Sequence, residues 1–194
     1  MSVEQAIIGV PLPLLGVLLA SLLDFLIGDP SHWWHPVQGM GWLITRYVRV
    51  CFNGLQSPIA LKLAGVGLGL GLILATGLTG WLLIHLAQHI HPWAGMAVET
   101  GIVASCLAGR SLRDAARDVL LPLGRGDLAA ARSRLSRYVG RDTETLSESE
   151  ILRAVLETVT ENATDGVLAP LFYAIAGSLL PSIGSAPLAL AYKA

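Results

Sequence analysis

The sequence predicts an all-α fold: a polytopic integral membrane protein of helices, carrying an amphipathic helical loop on its cytoplasmic side. Composition comes first, since 53% of the 194 residues are hydrophobic and 14% charged, with a mean hydropathy of +0.61. A soluble domain carries roughly 25% charged residues. Apolar runs of membrane-crossing length are the second observation, and a polar insertion with three- and four-residue apolar spacing is the third. A net charge of -1 and a pI near 6.5 exclude a nucleic-acid partner, because no aromatic-interleaved basic stripe is present. Cys51 and Cys106 lack a CxxC spacing and suggest neither a zinc site nor a disulfide framework.

The first predicted span covers residues 7–27, with Pro11 and Pro13 early and Asp24 late. It lacks a basic leader and a small-residue cleavage site, so it is expected to remain as an anchor. The second span, 63–87, contains Gly65, Gly67, Gly69 and Gly71. These form small-xxx-small pairs suited to close helix approach, and the absence of a strand before them or a Lys-Ser/Thr after them excludes a nucleotide loop. The third span, 94–108, is shorter and includes Glu99, whose carboxylate is expected to face protein rather than lipid. His85, His89 and His91 near the turn between these spans read as polar anchors.

Residues 109–165 form the helical loop. Periodicity predicts helices over 111–121 and 127–139, separated by the breaker Leu123-Gly124-Arg125-Gly126. Ser147 followed by Glu150 is a capping box that opens a third helix, and Gly166 is its expected stop. Beyond it, Pro170, Pro181, Gly184 and Pro187 divide 166–194 into short apolar pieces, which predicts an interrupted, re-entrant segment that returns Lys193 to the cytoplasmic face. Arg46, Arg49, Lys62 and the remaining arginines all fall on the side of 28–62 and 109–165, which the positive-inside tendency makes cytoplasmic.

Two polar clusters are candidates for chemistry. Glu157, Glu161 and Asp165 are spaced four apart and would line one strip of a continuous helix, where like charges repel by about 0.2 to 0.5 kcal/mol per pair and a bound cation would reverse that cost. A solvated face with Arg153 offsetting Glu157 is the alternative reading. The second cluster, Gly28 to Val37, holds Asp29, His32, Trp33, Trp34 and His35. The tryptophans suit interfacial anchoring, and the histidines suit hydrogen bonding to an anionic substrate better than zinc ligation. For most arginine-bearing helix faces, attraction to anionic headgroups and substrate binding both stand. No nucleophile elbow, phosphate loop or Cys/His pairing is present, and Arg125-Gly126-Asp127 is read as a cytoplasmic turn.

Leu23-Asp24, Gly28-Asp29-Pro30, His35-Pro36-Val37 with Gly41, Arg110-Ser111-Leu112-Arg113 and Gly140-Arg141-Asp142-Thr143 occur in that order. Glu157, Glu161-Asn162, Asp165-Gly166 and Ala169-Pro170-Leu171-Phe172 follow. Together they resemble the CobD/CbiB cobalamin-biosynthesis family over nearly the whole chain. The resemblance implies a multi-pass protein of the cell inner membrane with a cytoplasmic active face. It implies an amide-forming ligase that joins aminopropanol, usually as its phosphate, to the propionate carboxylate of adenosylcobyric acid with ATP and Mg²⁺. On that reading Glu157, Glu161 and Asp165 bind Mg²⁺ or accept the amine proton, with Asn162 among them. Arg141 holds a phosphate or carboxylate bidentately and Asp142 orients it or shares the metal contact. Asp29, His35, Arg110, Arg113 and Lys193 bind substrate. The implied partners are the corrinoid, the amino alcohol, the lipid bilayer, and either a second copy or other membrane proteins of the pathway. Family members continue past the point matching Lys193-Ala194, so an inactive shortened form, or a regulatory one like the related AmpE-like membrane proteins, is the alternative expectation.

Overall fold

A computed structural model describes residues 12–28, 36–180 and 182–194. Helices α1 (Leu12–Leu26), α2 (Pro36–Gly54), α3 (Pro58–Ile90) and α4 (Pro92–Cys106) come first. Then follow α5 (Gly109–Leu123), α6 (Leu128–Leu135), α7 (Glu148–Ala163), a π-helical turn (Thr164–Leu168), α8 (Ala169–Ser178) and α9 (Ser185–Lys193). Among the described residues there is no strand.

Apolarity on every side sets α3 apart. Its 33 residues begin with Pro58 in the first turn, where a missing N–H costs nothing, and extend for about 50 Å at 1.5 Å per residue. It is the one described helix long and apolar enough to cross a membrane, whereas α1 and α4 have 15 residues each. Extended backbone at His91 ends α3, and the His91 ring nitrogen accepts the Trp93 N–H at 3.2 Å to open α4. Helix α2 lies within what the sequence presented as a polar connecting segment. Pro36 occupies its first position, where the missing N–H costs nothing.

Two cores organise the chain. In one, α1, α3, α4, α8 and α9 meet through small side chains, with Ala20, Ala174, Ala186 and Ala189 at 0% exposure. At Gly80 a Cβ would lie 2.8 Å from the Leu190 Cδ1 and in ordinary contact with the Pro187 backbone, so α9 packs closely over α3 there. In the other, Val119, Leu123, Leu135, Ile151 and Val155 join α5, α6 and α7. Helix α6 stops well before residue 139, because the chain from Ser136 turns back on itself and the Ser136 hydroxyl donates to the Ser133 carbonyl.

Gly166 does not stop the third loop helix. Helix α7 passes through the π turn into α8, and Gly166 is not among the described glycines with positive φ, which are Gly28, Gly126 and Gly184. The π turn widens the backbone, and the Gly166 carbonyl accepts the Ala108 N–H at 2.9 Å. A Cβ on Gly166 would sit 3.2 Å from that of Ala108. The glycine therefore serves close approach between the α4–α5 junction and the π turn. Gly184, at φ +87°, reverses the chain so that α9 runs back along α8, stacking Tyr192 on Tyr173.

Candidate functional site

Local hydrogen bonds shape the Gly140-Arg141-Asp142-Thr143 loop before any chemistry is considered. The buried Thr143 hydroxyl donates to the Arg132 carbonyl at 3.0 Å, and Arg132 Nε donates to the Leu146 carbonyl at 2.8 Å. Asp142 accepts the Glu144 N–H at 2.9 Å and tightens the turn. These bonds pin the loop to α6 and leave a cleft of 460 Å³ lined by Arg132, Ser133, Ser136, Arg141, Asp142, Thr143 and Glu144.

Arg141 belongs to this cleft and also reaches α7, where its Nη2 lies 2.9 Å from Glu157 Oε2. Arg153 holds the other oxygen at 2.8 Å. Together the Arg153 and Arg141 hydrogen bonds pull the Glu157 carboxyl below the ordinary glutamate range. The capping box is present, and the Ser147 hydroxyl and N–H likewise lower Glu150.

Glu161 is exposed and has no partner among the described residues. Asn162 is turned along its own helix and donates to the Thr158 carbonyl at 2.7 Å. Asp165 lies inside the π turn and faces the Tyr192 hydroxyl at 3.5 Å. The expected strip of three carboxylates is thus not a ready-made metal cage: two arginines occupy Glu157, and the π turn takes Asp165 out of a continuous α-helical register. No group of three His, Cys, Asp or Glu side chains among the described residues is disposed to hold a metal. Glu161 and Asp165 keep open carboxylate oxygens, which fits Mg²⁺ held jointly with substrate phosphates.

Arg110 and Arg113 also make contacts within the chain, at the end of α1. Arg110 donates through Nη1 to the Leu26 carbonyl at 2.9 Å and the Phe25 carbonyl at 3.3 Å, and through Nε to Asp114 at 2.8 Å. It satisfies the exposed carbonyls at the end of α1, while its stem presses on Gly28, whose φ of +68° opens the turn there. The Arg113 guanidinium stacks 4.9 Å from the centre of the Phe25 ring. Asp24, 8% exposed, accepts the Gly109 N–H at 3.0 Å. Lys193, at the end of α9, comes within electrostatic reach of Cys106 at this same end of the bundle. Asp29 and His35, with His32, Trp33 and Trp34, lie outside the described residues.

Sequence reasoning did not single out Arg132, Ser133, Ser136 or Tyr192. Nothing in spacing marks them: Arg132, Ser133 and Ser136 lie on or just after α6, shortly before the loop they face, and Tyr192 reaches Asp165 from α9. Asp24 did carry a signal, being a lone acid at the end of an apolar run.

Fold and site define a class: a helical protein whose apolar bundle carries a polar three-helix unit with an arginine-bearing cleft. The chain belongs to the CobD/CbiB family, matching the family described as CobD/Cbib protein over residues 17–194. It is 45% identical over 185 residues to the cobalamin biosynthesis protein CobD of Synechocystis sp., covering 94% of this chain and 54% of that protein. It is 47% identical over 176 residues to the cobalamin biosynthesis protein CbiB of Salmonella arizonae, covering 91% of this chain and 53% of that one. The chain spans about half the length of the curated relatives it matches. No solved structure matches it.

Proposed function

We propose that the chain acts in cobalamin biosynthesis, in the ATP- and Mg²⁺-dependent joining of aminopropanol or its phosphate to the propionate carboxylate of adenosylcobyric acid. The observation that carries this reading, beside family membership, is Arg141, which lines the cleft and reaches Glu157. A carboxylate is a poor acyl donor. Transfer of the ATP γ-phosphoryl to it releases ADP and gives an acyl phosphate, and attack by the amine then releases phosphate and one proton. Arg141 and Arg132 are suited to hold phosphate oxygens, with the Ser133 and Ser136 hydroxyls as further donors. Asp142, which accepts the Glu144 N–H, shapes the loop that carries Arg141. Glu161 and Asp165 would hold Mg²⁺ together with the phosphates, and either can accept the amine proton. Mg²⁺ would supply neutralisation of the charge on those phosphates. Asp29, His35 and Lys193 are proposed to bind substrate, as are any donors of Arg110 and Arg113 left free by α1.

The same reading places the chain in the inner membrane as a multi-pass protein with 28–62 and 109–165 cytoplasmic. Long apolar exposure on α3 supports it, and cysteine labelling at positions 2 and 126 of intact cells tests it. Labelling at 126 without labelling at 2 overturns this topology.

The reaction itself is tested by amide formation across a Mg²⁺ titration, using the chain in membranes. Arg141→Ala is expected to lower turnover by about a hundredfold or more, the scale of losing one preorganised charge-stabilising donor. Glu161→Gln keeps size and hydrogen bonding and is expected to lower turnover while leaving protein level unchanged. Near-normal turnover with an unchanged Mg²⁺ requirement removes Glu161 from the metal site.

A further inference from the structure

Away from the π turn, α3, α4, α8 and the α8–α9 connection surround a cavity of 180 Å³ lined by Trp81, His85, Gln88, Glu99, Ser178 and Gly184, among others. Glu99 is the acid of an otherwise uncharged helix, α4. One of its oxygens accepts the Ser185 N–H at 2.8 Å, so the start of α9 holds the carboxylate in place. The other has no partner among the described residues. Nearby, the Ser185 hydroxyl is 1% exposed and also without a partner.

His85 and Gln88 can each offer the cavity an acceptor. His85 stacks on Trp81 at 4.0 Å, with its Nδ1 3.1 Å from the Trp81 carbonyl. A carbonyl can only accept, so Nδ1 carries a proton, and in that tautomer Nε2 is the acceptor. The Trp81 indole N–H is already given to the Ser182 carbonyl at 3.2 Å. Gln88 can turn its amide oxygen inward, and its stem is clamped where a Cβ on Gly95 would fall at 2.2 Å. Among the described residues no Lys or Arg lines the cavity. An unpaired carboxylate among apolar helices is costly, and a donor-bearing cation would relieve it.

We propose that this cavity binds a small primary ammonium ion, whose three N–H donors meet Glu99, His85 Nε2 and the Gln88 oxygen. At about 30 Å³ of liquid volume per water, the space corresponds to about six waters, enough for a short aliphatic amine. The site shares no residue with the cleft on the α5–α7 unit, so it stands independently of the reaction proposed above.

The test is calorimetric titration of the purified full chain in lipid nanodiscs with ethylammonium chloride, beside tetramethylammonium and potassium chloride at equal ionic strength. Saturable ethylammonium binding, absent with tetramethylammonium and weakened about tenfold or more by Glu99→Gln, is expected, since charge-assisted hydrogen bonds are about twice as strong as neutral ones. Glu99→Gln keeps an oxygen for the Ser185 N–H, and an unchanged melting temperature would show that α9 remains docked. Gln88→Leu is expected to weaken binding less. Absence of saturable ethylammonium binding, equal binding by Glu99→Gln, or equal competition by potassium or tetramethylammonium each overturns the proposal.

Discussion

The α5–α7 unit and the bundle of α1, α3, α4, α8 and α9 are built in opposite senses. The first buries branched aliphatics such as Leu135 and Ile151 and carries its charge outside, in the pairs Arg134–Asp118 and Arg153–Glu157. The second buries several alanines beside Val17, Ile84, Val103 and Leu190 and still turns many large apolar side chains outward, with Leu74 at 72% and Leu78 at 63% exposure. Water drives the first arrangement by rejecting apolar surface. The second depends on close backbone approach and on a few polar pins, Asp24 to Gly109 and Glu99 to Ser185.

The largest expected effect lies in the first core. Ile151→Ala, at a position with 0% exposure, is expected to cost about 2 to 5 kcal/mol, whereas Leu74→Ala on the outer face of α3 should leave stability nearly unchanged in a membrane mimetic. Denaturant unfolding of both variants measures the contrast, and equal losses would break the comparison.

Next come the pins. Asp24→Ala strips the Gly109 N–H of its acceptor and is expected to cost about 1 to 3 kcal/mol, with Asp24→Asn recovering part of it. Melting temperature of the detergent-solubilised chain reads this out. A neutral Asp24→Ala would mean that the bundle holds by apolar packing alone.

Ser147→Ala removes the hydroxyl half of the capping box, leaving the Glu150 carboxylate on the backbone N–H of residue 147, and is expected to cost about 1 kcal/mol, confined to the α5–α7 unit. Hydrogen exchange at the first turn of α7 should rise while exchange in α3 does not.

The smallest effect concerns acidity. Glu157 has its carboxyl lowered in the folded chain, so the stabilisation from Arg153 and Arg141 is complete above the ordinary value of 4.5. It is lost as pH falls through the lowered folded value. In Glu157→Gln the acid limb of the stability profile should flatten slightly, and an unchanged profile would show the exposed pairs contribute nothing measurable.

Much was legible in local pattern. The helices at 109–123 and 128–135, the capping box at Ser147 and Glu150 and the inward role of Glu99 rest on spacings of a few residues or on one charge in apolar surroundings. The site was legible in part. Gly140-Arg141-Asp142-Thr143 marked the loop, but its companions Arg132, Ser133 and Ser136 did not stand out from other residues on an amphipathic helix.

Sequence alone determined an all-helical chain, an apolar set of helices and a polar insertion, because composition and 3.6-residue periodicity are local properties of the chain. Tertiary structure decided the rest. Whether Gly166 ends a helix or receives Ala108, which carbonyls Arg110 closes over, and whether Arg141 joins the local partner Arg153 at Glu157 depend on segments well separated in the chain. A backbone carbonyl or carboxylate takes whichever donor the fold brings within about 3 Å, and no spacing along one helix specifies that donor.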